Sequence, residues 1–272
     1  MEIKINVILE SVRKAGDIFL EEYKTRAIPT TKSELMRELS SIDERCIALI
    51  QPDLEAYHPE IPFFIGDEFN KEVQRQPLKL PQYWICDAMD GAIQYIQHMP
   101  GWTINLVLVQ QGKPIFSVIY DPLSKEIFWA IADIGAYMNG NLIKPLLKAD
   151  SDTMVAVFNY GHEKVFSKET SKLHGEVLSS LLNKFGIVRN YGPHGLQLAY
   201  IGKGRIDIFC QLGLDTYNWL AGMLIAREAG ADILNSKGLP WNWGDESLVV
   251  SAPNLANQYL LSMESNEQTV KP

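Results

Sequence analysis

Residues 83–91, YWICDAMDG, drive an aromatic and β-branched run straight into two carboxylates, Asp87 and Asp90, and then a glycine. The apolar part, Tyr83 to Cys86, has the composition of a buried strand. Carboxylates gathered in an apolar setting repel one another and lose hydration, so a strand ending this way must deliver them to something positive. Two further segments repeat the device. FFIGDEF (63–69) is a short apolar run that breaks at Gly66 into Asp67 and Glu68, and Asp215 stands just ahead of a helical segment opening at Tyr217.

Around these acids the chain divides in two. In the first half, 1–148, apolar residues at Ile3, Val7, Ile8, Val12, Ala15, Ile18 and Phe19 predict an amphipathic helix over 3–23. After a polar stretch from Thr25 to Glu34, Ile42, Cys46, Ile47, Leu49 and Ile50 predict a second helix. INLVLVQQGKPIFSVIYDP (104–122) reads as a hairpin about a Gln-Gly-Lys turn, followed by a strand from Ile127 to Ala130 and a turn at Asn139-Gly140. In the second half, 149–265, strand and helix alternate: VAVFNY, a helix from Ser167 to Phe185, GIVRNYG, a short helix from Leu196 to Ile201, RIDIFCQ, and a helix from Tyr217 stopped by Gly230. A strand at Leu248–Ser251, a helix from Pro253 and a tail over 266–272 complete it. The pattern predicts a larger antiparallel sheet with helices in the first half and an α/β layer in the second.

Composition narrows the function. Of 272 residues 46% are hydrophobic, enough for a sizeable core. With 25 Lys+Arg against 33 Asp+Glu the net charge is −8, the wrong sign for tracking nucleic-acid phosphates. No run reaches the roughly 18 apolar residues of a membrane span. The opening residues interleave charge with apolar groups, unlike a signal peptide. Three scattered cysteines are too few for a disulfide framework or a Cys-rich zinc site. A cytoplasmic protein that engages neither nucleic acid nor membrane is expected.

Oxygen donors without Cys or His beside them favour a hard cation, Mg²⁺ before Mn²⁺ or Ca²⁺. A tight turn through Asp87-Ala88-Met89-Asp90 aims both carboxylates and the Met89 carbonyl at one point. A helix beginning after Gly91 offers its N–H groups to a phosphate beside that metal, which is a phosphoryl-transfer design. Each site also has a plainer reading. Asp67-Glu68 alone is a solvated turn, Asp87 and Asp90 equally suit a turn with side-chain caps, and Asp215 suits a helix N-cap. His98 and His194 read as ordinary imidazoles and Cys86 as core.

FIGDE (64–68), WICDAMDGAIQYIQHMP (84–100) and NWLAGMLIAREAG (218–230) resemble, in order and spacing, the signature segments of the inositol monophosphatase family. These are Mg²⁺-dependent, lithium-sensitive phosphatases, grouped with fructose bisphosphatases and bisphosphate nucleotidases. The resemblance implies a layered αβαβα sandwich, metals between the halves, and a homodimer. It implies a metal set of Glu68, Asp87, the Met89 carbonyl, Asp90 and Asn218, with Gly91 and the Ala92 N–H cradling phosphate. Asp43 falls where an acid orients the attacking water, acting with Glu68 and Asp90 in catalysis, while Gln211 and Gly192 fall on the substrate side. The family's hydroxyl-bearing threonine is Ala92 here, its metal-binding aspartate is Asn218, its tryptophan Tyr217 and its proline Ala88. The activity implied by the resemblance is that of a phosphomonoesterase of small phosphorylated polyols, sugars or related metabolites. The alternative is a catalytically weakened paralogue that binds a phosphorylated ligand or a protein partner.

Overall fold

The computed structural model describes residues 3–65, 70–161 and 167–261. Two helices open the chain, α1 (Ile5–Glu22) and α2 (Lys32–Tyr57). α2 starts early because Thr31 and Glu34 form a capping box: Thr31 Oγ1 accepts the Glu34 N–H at 3.2 Å, and Glu34 Oε2 accepts the Thr31 N–H at 3.1 Å. Then come β1 (Phe63–Ile65), α3 (Lys71–Gln74), β2 (Gln82–Asp90), α4 (Ala92–Ile96), β3 (Thr103–Gln110), β4 (Lys113–Asp121), β5 (Glu126–Ile131), β6 (Gly135–Met138) and β7 (Asn141–Leu142). All seven strands form one sheet in chain order, with β1 parallel to β2 and every other pair antiparallel. The β3–β4 turn places Gln111 and Gly112 at φ of 49° and 74°, the left-handed pair that matches strand twist.

The second sheet holds β8 (Val155–Tyr160), β9 (Ile187–Arg189), β10 (Ile208–Leu212), β11 (Asp232–Leu234) and β12 (Ser247–Ser251), in the order β11-β12-β10-β8-β9. β8 runs parallel to β9 and β10, while β12 is antiparallel to its neighbours. Between these strands lie α5 (Lys168–Lys184), α6 (His194–Gly202) and α7 (Thr216–Ala229), and a helix over 255–261 ends the described chain. No helix among the described residues is long and apolar enough to cross a membrane.

The layers follow from which side chains share a core. Ile8, Val12 and Phe19 of α1 and Ile42 and Ile50 of α2 pack on Trp84, Ile104, Leu106 and Val118. The opposite face of the same sheet, Ile85, Val107, Val109 and Ile119, packs on Leu196 of α6 and Leu220 and Leu224 of α7. α6 and α7 then turn Leu198, Trp219 and Met223 to Val157, Phe209 and Val250 of the second sheet. That sheet's far face, Phe158, Ile208 and Val249, is covered by Leu181 of α5 and Tyr259 of the last helix. The order is α, β, α, β, α, as the resemblance implies. Burial on both faces explains why TINLVLVQ reads as a continuous apolar run.

Three strands, β6, β7 and β11, fall outside the sequence expectations, being too short to show a period. GIVRNYG contributes only Ile187–Arg189 to its strand, because Asn190 turns its Nδ2 onto the Phe158 carbonyl at 2.7 Å.

α7 lies between two sheets and is buried on nearly every side, so it needs small residues where α6 crosses it. A Cβ at Gly222 would stand 2.5 Å from the Gly195 carbonyl oxygen and 2.7 Å from Leu198 Cβ. Gly222→Ala is expected to cost about 1–3 kcal/mol of stability through overpacking, and Thr31→Ala about 1 kcal/mol through loss of the cap. Urea denaturation midpoints measure both; an unshifted midpoint for Gly222→Ala would mean the crossing is loose.

Candidate active site

β2 and β3 pair regularly from Gln82 opposite Gln110 to Asp87 opposite Asn105, but the next pair is Asp90 with Thr103. Three steps along β2 against two along β3 make a β-bulge. In a regular strand Asp87 and Asp90 would point to opposite faces. The bulge turns both to one side, where Asn105 Nδ2 donates to Asp87 Oδ2 at 3.3 Å and to Asp90 Oδ2 at 3.2 Å. Thr103 Oγ1 donates to Asn105 Oδ1 at 2.9 Å. With its oxygen engaged, the Asn105 amide must present its NH₂ to the carboxylates. Sequence reasoning missed both residues; the available signal was one asparagine inside INLVLV.

Asp90, only 7% exposed, also receives a helix. Its Oδ2 accepts the Gly195 N–H at 2.7 Å and its Oδ1 the His194 N–H at 3.3 Å. These are orphan donors at the start of α6, whose own N-cap residue, Pro193, offers no side-chain cap. A Cβ on Gly195 would lie 2.7 Å from Asn105 Nδ2 and 3.2 Å from Asp90 Oδ2, so glycine permits the approach. Burial holds the Asp90 carboxyl above the ordinary carboxylate range. His194 and the Gly195 N–H pull it back, Asp215 adds to the rise, and Asn105 eases it.

Asp215 occupies the N-cap position of α7 without capping it: its side chain makes no hydrogen bond to the helix N–H groups. The N-cap expectation is corrected. Its Oδ1 accepts Asn218 Nδ2 at 2.7 Å, and its Oδ2 accepts Gln211 Nε2 at 2.8 Å and pairs with His194 Nδ1 at 3.0 Å. Gln211 is fully buried and engaged at both ends, since its Oε1 accepts the Trp219 Nε1–H at 2.8 Å. It does not line the cavity, so it orients Asp215 and does not reach substrate hydroxyls as expected. His194 is partly buried as expected, but it stands in the cavity wall against Asp215.

The cavity, of about 280 Å³, is walled by Asp87, Met89, Asp90, Gly91, Ala92 and Asn218, with Gly192 and His194 also in the lining and Met36, Leu39 and Ile93 contributing apolar surface. No Lys or Arg is among the described residues that line it. At Gly91, φ is +85° and a Cβ would stand 2.5 Å from the Gly101 carbonyl oxygen, so only glycine turns β2 into α4 here. Asp43 lies outside this lining, on α2 with an exposed side; crowding by the surrounding chain and the Glu44 charge push its carboxyl up to about 6. The Cys46 thiol is raised chiefly by burial, then by Cys86, and then by the charges of Asp43 and Asp87. Cys86 is core, as expected.

Asp67 and Glu68 lie outside the described residues. Of the implied metal set, Asp87, Met89, Asp90 and Asn218 line the one cavity. Asn218 turns its NH₂ to Asp215, which leaves its amide oxygen as the end that suits a cation. An all-oxygen donor set fits a hard divalent ion, although among the described residues no three His, Cys, Asp or Glu side chains form a metal cage by themselves.

Gln211→Glu is expected to set a second buried carboxylate against Asp215 Oδ2. Repulsion raises the pair's folded-state pKa above the unfolded value of about 4. The variant's deficit in stability should therefore widen as pH rises from 5 to 8. Urea midpoints at both pH values check this, and an equal gap at both would show that the two groups do not meet.

Comparison with known proteins adds an independent line. Residues 3–268 match the model of the inositol monophosphatase family. The Nus factor SuhB of Xylella fastidiosa is 28% identical over 238 residues, covering 86% of this chain and 82% of that protein. Among solved structures, the inositol monophosphatase of Anabaena (Nostoc) sp. superposes with a TM-score of 0.78 at 18% identity, covering 96% of this chain and 94% of its own. The extragenic suppressor protein SuhB of Bartonella henselae gives 0.77 at 20% identity, covering 96% and 98%. At these identities the two structures speak for the fold.

Proposed function

The chain belongs to the inositol monophosphatase family, and from that membership we propose that it is a Mg²⁺-dependent phosphomonoesterase of small phosphorylated polyols, sugars or related metabolites. One observation carries the reading: a bulge gathers Asp87 and Asp90 on one side of β2, in a cavity wall that continues into the start of α4. Mg²⁺, when bound, polarises a phosphate and lowers the pKa of a water. The residues that would hold it are Asp87, Asp90, the Met89 carbonyl and the Asn218 amide oxygen, with Glu68 completing the set. Backbone N–H groups from Ala92 onward would take the phosphate oxygens, and Gly192 leaves room for the esterified group. Asp43 is assigned to orienting the attacking water.

Two features temper turnover. Ala92 has no hydroxyl to help activate water, and Asn218 brings an oxygen without charge. Together with the name Nus factor SuhB carried by the Xylella relative, they favour a second reading, a paralogue that binds a phosphorylated ligand or a protein partner without hydrolysing it. Phosphate release from a panel of sugar, inositol and nucleotide phosphates decides between them. The enzyme reading expects Mg²⁺-dependent release, abolished in Asp87→Asn and raised about 10²-fold in Ala92→Thr. Release only after Ala92→Thr and Asn218→Asp are both installed supports the binding reading. We further propose a cytoplasmic homodimer. Sedimentation of the chain as a monomer at micromolar concentration would count against that assembly.

A further inference from the structure

We propose that Met36, Leu39 and Ile93 form a specificity wall for the esterified group, so that the site selects phosphate monoesters of aromatic or alkyl alcohols over those of polyols. The inference rests on the phosphate-ester reading above and narrows it from a range of small esters to one class. Met36 and Leu39 stand three residues apart on α2, hence on one face of that helix, and Ile93 lies on α4. All three line the cavity that Asp87 and Asp90 also wall. Leu39 is partly buried against the core, whereas Met36 and Ile93 are 44% and 46% exposed. Single exposed apolar residues are ordinary. Two helices bringing three of them to one concavity beside a polar cluster is the make-up of a small-ligand pocket. A volume of about 280 Å³ suits a ring-sized group.

A polyol needs the opposite lining, because each hydroxyl taken from water requires a hydrogen-bond partner. Among the described lining residues the polar side chains are Asp87, Asp90, Gln94, His194 and Asn218. Asp87, Asp90 and Asn218 belong to the cation in the reading above. His194 pairs its Nδ1 with Asp215 at 3.0 Å. Gln94 lies against Gly192, its Nε2 2.7 Å from where a Cβ on that glycine would stand. Gln211, the residue implied to meet substrate hydroxyls, is fully buried and held between Asp215 and Trp219. Gln94 and the His194 ring thus remain for hydroxyls, while Met36, Leu39 and Ile93 offer them nothing. A hydroxyl set against that wall loses its water without compensation. A ring or alkyl chain gains by the same contact.

Titration calorimetry of the full chain with Mg²⁺ tests this without turnover, because the probes are phosphonates, whose carbon–phosphorus bond is not hydrolysed. Benzylphosphonate is expected to bind about tenfold more tightly than 2,3-dihydroxypropylphosphonate. Met36→Gln and Ile93→Thr, each at an exposed position, should each lower that ratio about threefold. A ratio unchanged in both variants overturns the inference, since the ring then lies elsewhere. Equal affinities in the parent chain, a preference for the polyol analogue, or binding of inorganic phosphate alone also overturn it, and leave the phosphate-ester reading standing. If neither phosphonate nor inorganic phosphate binds, both readings fall.

Discussion

The carboxylate of Asp90 is the joint on which the architecture turns. It leaves the bulged end of β2, accepts an amide from the neighbouring strand, and closes the first turn of a helix that belongs to the second half of the chain. A buried acid is tolerable only when donors meet it, and the donors that meet Asp90 come from both sheets' territory. One buried carboxyl thus joins the end of β2, the start of α6 and one wall of the cavity.

Around that joint the molecule uses glycine where backbones must nearly touch. Gly91 turns the strand into α4 against the Gly101 carbonyl, Gly195 lets its N–H reach Asp90, and Gly222 lets α7 cross α6. Each supports a different step from sheet to cavity. Polar side chains then orient one another in pairs, Thr103 with Asn105 and Trp219 with Gln211, so that these two amides each turn their NH₂ to a buried acid. Such networks specify geometry when they are fully satisfied.

Much of this was legible in the sequence, for reasons that are local. The acids Asp87 and Asp90 after an apolar run, the Gln-Gly turn of the β3–β4 hairpin and the stop of α7 at Gly230 each depend on a few consecutive residues. The family motifs supplied the layer order, since three segments far apart in the chain must meet for them to make sense. What stayed hidden depends on pairing across the fold. The bulge exists only in the register between β2 and β3. Asp215 looked like a cap because nothing local reveals that Asn218, Gln211 and His194 converge on it. Gln211 aligned with a substrate-facing position, yet Trp219, one helical turn into α7, holds it inward. His194 has neighbours only once α6 docks.

The middle layer has a consequence for how the protein comes apart. Residues 1–148 supply the whole first sheet, but Leu196, Leu220 and Leu224, which cover its inner face, arrive later in the chain. A fragment cut at that boundary would leave Ile85, Val107, Val109 and Ile119 bare to water, an apolar surface of the kind that drives aggregation. Neither half can be excised with its core intact. The shared middle layer couples the two sheets, so the loss of either one bares apolar surface on α6 and α7.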